Sequence, residues 1–199
     1  MELERGRARV TVDEERARAF DDLVTRHLAR AYRLAGVLLG SEADAQDAVQ
    51  DAAAAAWARF SDLRDAAAFD AWFDRILVNG CRDRLRARGR SRGRVVAIDM
   101  TDAEGHGADG LGRLDALRVT GDPSVGLAER EALRSALAGL SPEQRVSVVL
   151  RYYGDMSLEE IAERTGERLG TVKSRLHYGI SALRAAYDAA ARLPGETRR

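Results

Sequence analysis

Residues 140–184 read LSPEQRVSVVLRYYGDMSLEEIAERTGERLGTVKSRLHYGISALR, and this stretch decides the fold of the C-terminal part of the chain. It contains two capping boxes, in which a serine begins a helix and a glutamine or glutamate three residues later closes the first turn. Ser141 and Gln144 form the first box, with Pro142 at the first helical position. Ser157 and Glu160 form the second. The stretch therefore predicts two helices that begin after these serines.

The second of these helices is short, and a third follows it. The apolar pattern of the helix that begins after Ser157 stops near Thr165 and Gly166. Thr171 is the predicted N-cap of the helix that follows. Two helices joined by a tight turn that contains glycine form a helix-turn-helix candidate. At about 100° per residue, the last helix has one apolar side. That side consists of Val172, Leu176, Gly179, Ile180 and Leu183.

The other side of the last helix is polar, and Lys173, the only lysine of the chain, stands on its flank opposite Arg175. Small polar side chains near a helix N-terminus can reach base edges in a major groove, while flanking cations meet phosphates. An ordinary amphipathic surface helix would show a similar polar face, so the hairpin alone leaves both interpretations open. The polar positions that face away from the core are Thr171, Ser174, His177, Tyr178 and Ser181.

The N-terminal half has the period of three further helices. The first has apolar positions from Phe20 to Leu38 and ends at Gly40. The second begins after Ser41 and runs to about Phe60, and the third runs from about Asp65 to Arg88. Alanine is abundant and aromatic residues make up only 6% of the chain, which favours helices over sheets. We expect an all-α protein with a shared three-helix core in this half.

A formal net charge of zero conceals two segregated blocks. Residues 79–94 carry seven arginines and one aspartate, whereas residues 95–126 carry six acidic groups and two arginines. The segment 89–122 has seven glycines and no sustained period, so it is interpreted as a linker between two domains. The predicted division is an N-terminal extension (1–17), a first helical domain (18–90), an acidic glycine-rich linker (91–122), a second helical domain (123–193) and a C-terminal tail (194–199).

Several classes of protein are disfavoured by what the sequence lacks. Cys81 is the only cysteine, so no intramolecular disulfide can form, as is usual in a reducing compartment. No signal peptide is visible, and the longest apolar run, at 52–58, is too short to cross a bilayer. Without a nucleophile elbow, phosphate loop or metal-ligand spacing, the chain is expected to be a cytoplasmic protein that is not an enzyme and has no cofactor or metal.

Taken together with the 140–184 stretch, two further strings carry a family resemblance. They are DAQDAVQDAAAAAWARF at 44–60 and FDAWFDRILVNGCRDRLRAR at 69–88. In this order the three strings resemble bacterial RNA polymerase sigma factors of the extracytoplasmic-function (ECF) group, the smallest members of the sigma-70 family. The resemblance covers region 2 at about 18–90 and region 4 at about 127–187. It implies a region 2 helical bundle and a region 4 helix-turn-helix, joined by a flexible linker.

The resemblance also implies roles for particular residues. The second helix of region 2 would dock on the polymerase β′ clamp helices through Asp47, Gln50, Asp51 and Trp57. The third helix would open and read the −10 promoter element with Trp72, Asn79, Arg82, Asp83, Arg84, Arg86 and Arg88. The last helix would read the −35 element with Thr171, Lys173, Ser174, Arg175, His177 and Tyr178.

Other interpretations remain beside these roles. An acidic first turn at Glu42 and Asp44 is favoured by the helix dipole without any partner. The helical spacing of Phe69, Trp72 and Phe73 favours core packing for at least two of them over stacking on bases. The usual family turn, Gly-Ile-Pro-Val-Gly-Thr, is replaced here by Gly-Glu-Arg-Leu-Gly-Thr at 166–171. The linker's acidity would mimic nucleic acid, although linkers are often acidic for solubility.

The partners implied by the resemblance are core RNA polymerase (its β and β′ subunits), promoter DNA and an anti-sigma factor, with no membrane contact of the chain itself. The main alternative is a stand-alone helix-turn-helix regulator that binds an operator as a dimer. It would explain region 4 but leave the basic third helix and the acidic second helix without a role. An adaptor of similar fold that binds polymerase without supporting transcription is a further alternative.

Overall fold

The computed structural model describes residues 2–91 and 126–192, with the side chains of 14–90 and 131–187. The all-α expectation is confirmed: the described residues form α-helices and two short 3₁₀ turns, without a strand. The helices are α1 (Glu2–Leu39), α2 (Glu42–Ala58), α3 (Phe69–Ser91), α4 (Gly126–Ala138), α5 (Pro142–Tyr152), α6 (Leu158–Thr165) and α7 (Leu169–Arg192), and the 3₁₀ turns are Phe60–Asp62 and Ala66–Ala68.

Helices α1, α2 and α3 pack against one another around one apolar core, as the sequence predicts. Its largest fully buried side chains include Leu38 from α1, Val49 from α2 and Phe73 from α3. The chain turns sharply between α1 and α2 because Gly40 takes a φ of +68°, which is costly for other residues. Ser41 then caps α2 as predicted, since its Oγ accepts a hydrogen bond from the Asp44 backbone N–H at 3.3 Å.

The boundaries of this half differ from the prediction at two places. Helix α1 begins at Glu2 and continues without interruption past residue 17, so the proposed extension and the first helix of region 2 are one element. The third helix begins at Phe69 rather than near Asp65. Asp65 instead caps a 3₁₀ turn, with its Oδ1 accepting from the Ala67 N–H at 2.9 Å. A carboxylate cap therefore marks the start of a short turn here, not of α3.

Both predicted capping boxes of the C-terminal half are present. The Oγ of Ser141 accepts from the Gln144 N–H at 3.3 Å, and the Gln144 side chain accepts from the Ser141 N–H at 3.2 Å. Ser157 and Glu160 make the same reciprocal bonds at 3.1 and 2.8 Å. Helix α6 ends as predicted, because Gly166 adopts the left-handed conformation at φ +71°. The N-terminal signals in the sequence thus fix α5 and α6.

The predicted N-cap role of Thr171 is wrong. Helix α7 begins at Leu169, and the Val172 N–H already donates to the carbonyl of Arg168 at 3.1 Å. Thr171 therefore lies inside the first turn of the helix. The residues before it, Leu169 and Gly170, are compatible with helical geometry, so the helix extends beyond the side-chain signal that marked its start.

The C-terminal half packs directly on the N-terminal half through α1, α3, α5 and α6. Part of this contact is made by Arg145 of α5, whose side chain is buried and donates to the Val37 carbonyl at 3.3 Å. Burial lowers the pKa of Arg145 from its ordinary value. The same guanidinium lies beside Gly40, where an added Cβ would be 3.2 Å from its Nη2. The turn between α1 and α2 thus accepts a side chain from the other domain.

The predicted linker, apart from Ser91, and the C-terminal tail lie outside the described residues. Within the described part of the chain, no helix combines the length and the apolar character needed to cross a membrane. Over the same part, no group of three or more His, Cys, Asp or Glu side chains is placed to hold a metal ion.

Candidate nucleic-acid and polymerase interfaces

Helix α7 presents the side chains that the sequence assigned to the −35 element on its outer face. Its inner face packs on α4, α5 and α6 through buried Val172, Leu176 and Leu183. Gly179 lies on the same inner face, where an added Cβ would approach Val148 Cγ2 to 2.8 Å. The helix is thereby held with its opposite side to solvent. On that side Thr171, Lys173, Ser174 and His177 are exposed, and Arg175 and Tyr178 are half-buried.

The polar groups of this face are positioned partly by the helix itself. The Ser174 hydroxyl donates to the Gly170 carbonyl at 3.1 Å, and the Ser181 hydroxyl donates to the His177 carbonyl at 2.9 Å. The rings of His177 and Tyr178 meet edge to face with centroids 5.4 Å apart. Both serine hydroxyls thus donate to the backbone of their own helix, while the side chains near its N-terminus, Lys173 and Ser174, remain exposed, as a major-groove reading helix needs. Their roles towards DNA stay predictions.

Helix α3 carries the basic block, and four of its arginines are engaged with carboxylates in this structure. Arg84 pairs with Asp51, and Arg88 pairs with Asp44 and also donates to the Leu39 carbonyl at 3.1 Å. A hydrogen bond from Ser41, followed by the Arg88 guanidinium, holds the pKa of Asp44 below its ordinary value. Ion pairs therefore connect α2 with α3, and the Arg84–Asp51 pair joins a predicted docking position to a predicted −10 position.

Arg82 and Arg86, also on α3, face the second domain. Arg82 donates to Glu167 Oε1 at 3.0 Å and to Asn79 Oδ1 at 2.7 Å. Arg86 binds Glu143 at 2.6 Å and lies 3.7 Å from the exposed carboxylate of Asp83. The predicted −10 residues Asn79, Arg82, Asp83 and Arg86 thus lie together along α3. Two of them, Arg82 and Arg86, are turned towards region 4.

The aromatic side chains of α3 divide as the packing interpretation predicts. Phe69 and Phe73 are fully buried and stack with their centroids 5.6 Å apart. Trp72 is only half-buried, with its ring 5.9 Å from that of Phe69. The expectation that at least two of the three belong to the core is confirmed. Trp72 remains the aromatic side chain of α3 that an unstacked base could reach.

The predicted docking positions form one exposed stripe on α2. Asp47, Gln50 and Asp51 are exposed, while the opposite side of the helix is buried. Trp57 is 39% exposed. Its ring lies under the Arg16 guanidinium at 4.9 Å and against the edge of Phe20 at 5.3 Å. The N-terminal part of α1 therefore covers one side of Trp57 and leaves the rest of the stripe open.

Sequence reasoning missed a charged cluster between the domains. Asp74 of α3 has a side chain only 4% exposed, and it binds Arg30 Nη2 at 3.0 Å and Arg164 Nε at 3.4 Å. Burial raises the pKa of Asp74, against the lowering effect of Arg30. Arg30 also binds Asp70 at 2.7 Å. No local signal could have revealed this cluster, because Arg164 and Asp74 lie 90 positions apart.

Glu167 was noticed only as a departure from the family's turn. In the structure it stands between α6 and α7 with a side chain 13% exposed, bound to Arg82 through one oxygen and to Arg175 through the other. The only sequence signal was a carboxylate in place of an apolar residue at this turn. A partner for it could not be inferred without the tertiary arrangement.

These features of the fold and the two surfaces define a class of protein. The chain is an all-helical protein with a helix-turn-helix in one module, and with an arginine-rich helix next to an acidic, exposed helix in the other. Comparison with known families identifies the modules: residues 23–91 match the family described as "Sigma-70 region 2" and residues 130–183 match "Sigma-70, region 4".

Curated relatives agree with the two modules. The chain is 33% identical over 176 residues to "ECF RNA polymerase sigma factor SigE" of Mycolicibacterium smegmatis, a match that covers 87% of this chain and 63% of that relative. It is 30% identical over 170 residues to "ECF RNA polymerase sigma factor SigW" of Bacillus subtilis, covering 83% of this chain and 87% of the relative. The chain belongs to the sigma-70 family, in its ECF group.

A solved structure supports the same assignment. The chain superimposes on CnrH, solved in complex with the cytosolic domain of CnrY, with a TM-score of 0.58 and 28% identity, covering 87% of this chain and 90% of that one. Because both regions match in the expected order, a stand-alone helix-turn-helix regulator does not account for the chain.

Proposed function

We propose that this protein binds core RNA polymerase and directs it to specific promoters. The observation that carries the proposal is the presence, in one ECF-group chain, of two separate surfaces. One is the exposed stripe of α2 with Asp47, Gln50 and Trp57, and the other is the outer face of α7. The stripe would meet the clamp helices of the β′ subunit, and α7 would enter the major groove of the −35 element.

Melting of the −10 element is assigned to α3. Opening a duplex costs a few kcal/mol for each base that leaves the stack, and this cost is offset by stacking on an aromatic ring and by cations along the freed strand. Trp72 would provide the ring, and Arg84 and Arg88 would exchange their carboxylate partners for phosphates. The protein itself would break no covalent bond, since the polymerase supplies the chemistry.

A regulatory protein partner belongs to the same proposal. The structure of CnrH was solved with the cytosolic domain of CnrY. By that likeness we infer that this chain is also held by an anti-sigma factor that contacts its surface.

Run-off transcription with purified core polymerase and a genome-wide pool of promoter fragments tests the function. The wild-type protein should associate with core and produce discrete transcripts whose start sites share upstream elements. Asp47→Ala should weaken core association, because it removes an exposed charge from the stripe. Asp22→Ala removes an exposed carboxylate from α1 and serves as the matched control. Absence of both core association and transcripts with the wild-type protein would refute the proposal.

A further inference from the structure

Glu167 is placed where it occupies one cation from each of the two predicted DNA surfaces. Its Oε1 accepts from Arg82 Nη1 at 3.0 Å, and its Oε2 pairs with Arg175 Nη1. Arg82 belongs to α3 of region 2, and Arg175 belongs to α7 of region 4. A single carboxylate in the turn of the helix-turn-helix therefore connects the −10 and −35 surfaces within one molecule.

The contact has the chemistry of a phosphate contact. Guanidinium groups bind carboxylates and phosphates through the same charge-assisted hydrogen bonds, and both anions offer two oxygens to a pair of donors. The side chains of Arg82, Arg175 and Glu167 are 16%, 26% and 13% exposed, so water screens this contact only partly. A DNA phosphate would have to displace the Glu167 carboxylate to reach the Nη1 donor that it occupies on either arginine.

Other contacts across the domain boundary act in the same direction. Arg86 of α3 is held by Glu143 of α5 at 2.6 Å, and Arg82 also donates to the Thr165 carbonyl at 3.5 Å. Region 4 thus covers the side of α3 that carries Arg82 and Arg86. In this compact arrangement Arg82 and Arg86 are paired with region 4 carboxylates.

We propose that Glu167 is an intramolecular competitor of DNA, which holds the two regions together and keeps both DNA surfaces partly occupied until the regions separate. The inference rests on the proposed function for the identity of the two surfaces. It gives a role to the carboxylate at 167, where the family's usual turn has an apolar residue. The free protein should accordingly bind DNA more weakly than a form in which Glu167 does not occupy Arg82 and Arg175.

The test compares Glu167→Gln with Glu163→Gln in the full-length protein. Both changes keep the shape of the side chain and remove one negative charge, but Glu163 is an exposed residue of α6. Binding is measured by fluorescence anisotropy with a labelled 30-base-pair duplex at low salt, in the absence of polymerase. Small-angle X-ray scattering gives the radius of gyration of each free protein, and circular dichroism verifies that each is folded.

Glu167→Gln should bind the duplex about fivefold more tightly than Glu163→Gln, the size expected when a partly buried charge pair is lost. Its radius of gyration should also exceed that of the control. Equal affinities for the two variants would overturn the inference, and so would an extended wild-type protein. Neither readout uses polymerase, so a failure of the proposed function would appear only in the transcription assay and would leave this result interpretable.

Discussion

Replacing Gly179 by alanine should destabilise region 4, although alanine is the better helix former. Gly179 is in the middle of α7, where the change to alanine gains about 0.5–1 kcal/mol of helix propensity. The new Cβ, however, would lie 2.8 Å from Val148 Cγ2 and 3.4 Å from Gln144 Cβ. Val148 is a buried, β-branched residue of α5, so its methyl group cannot move away without shifting the helix.

Overpacking of this kind costs about 1–3 kcal/mol, so after the gain in helix propensity the net loss of unfolding free energy should be about 0–2.5 kcal/mol. Gly170 of the same helix is the matched control, because nothing lies within 4 Å of its Cβ position. Gly170→Ala should be neutral or stabilising by up to about 1 kcal/mol.

Urea unfolding followed by circular dichroism measures both variants against the wild type. Gly179→Ala should lower the urea midpoint and Gly170→Ala should leave it unchanged or raise it. The free energies of unfolding of the two variants, extrapolated to water, should differ by about 2 kcal/mol. If Gly179→Ala were as stable as Gly170→Ala, the close approach of α5 and α7 at this position would be refuted. The inner face of α7 would then be packed less tightly than the structure shows.

Lys173→Ala should weaken duplex binding and lower the slope of log affinity against log salt by about one, since one phosphate contact is lost. Arg134→Ala, at an exposed position of α4, should leave the slope unchanged. Equal slopes for the two variants would exclude Lys173 from the DNA contacts. Cys81 should react with a thiol reagent at pH 8 far more slowly in the native protein than in denaturant, because burial raises its pKa from 9.0 to about 12. As its folded pKa is the higher one, its contribution to stability should be complete below pH 9 and decrease between pH 9 and 12, and rapid native labelling would contradict its burial.

The parts of the fold that the sequence predicts are those decided by neighbours in the chain. Ser141 and Ser157 mark the starts of their helices, because the Oγ of each accepts a hydrogen bond from the backbone N–H three residues later. The inner face of α7 follows from helical period alone. Thr171 failed as a cap because Leu169 and Gly170, which carry no start signal, adopt helical geometry first. A side-chain cap marks a helix start only when the preceding residues do not extend it.

The candidate site was predictable as a list of residues on two helices, but not as a set of contacts. The exposed faces of α2 and α7 follow from the positions of apolar residues. The pairing of Arg82 with Glu167 spans 85 positions, and the pairing of Arg84 with Asp51 spans 33. Neither periodicity nor capping carries information over such separations. The sequence therefore predicted the cations of α3 without the carboxylates that hold them.

The preference for arginine in this chain has a mechanical consequence at Arg30. Its two terminal nitrogens reach different carboxylates, with Nη1 2.7 Å from Asp70 and Nη2 3.0 Å from Asp74. A lysine ammonium also has three donors, but it is a single compact charge without the planar fork that fixes the two terminal nitrogens of arginine towards separate partners. A lysine at position 30 would thus hold Asp70 and Asp74 in a less fixed arrangement, and Asp74, which is shielded from water, would depend more on Arg164. An arginine-to-lysine substitution is harmless at most surface positions. At position 30 it would weaken the charged cluster around Asp74, through which the two halves of this protein are in contact.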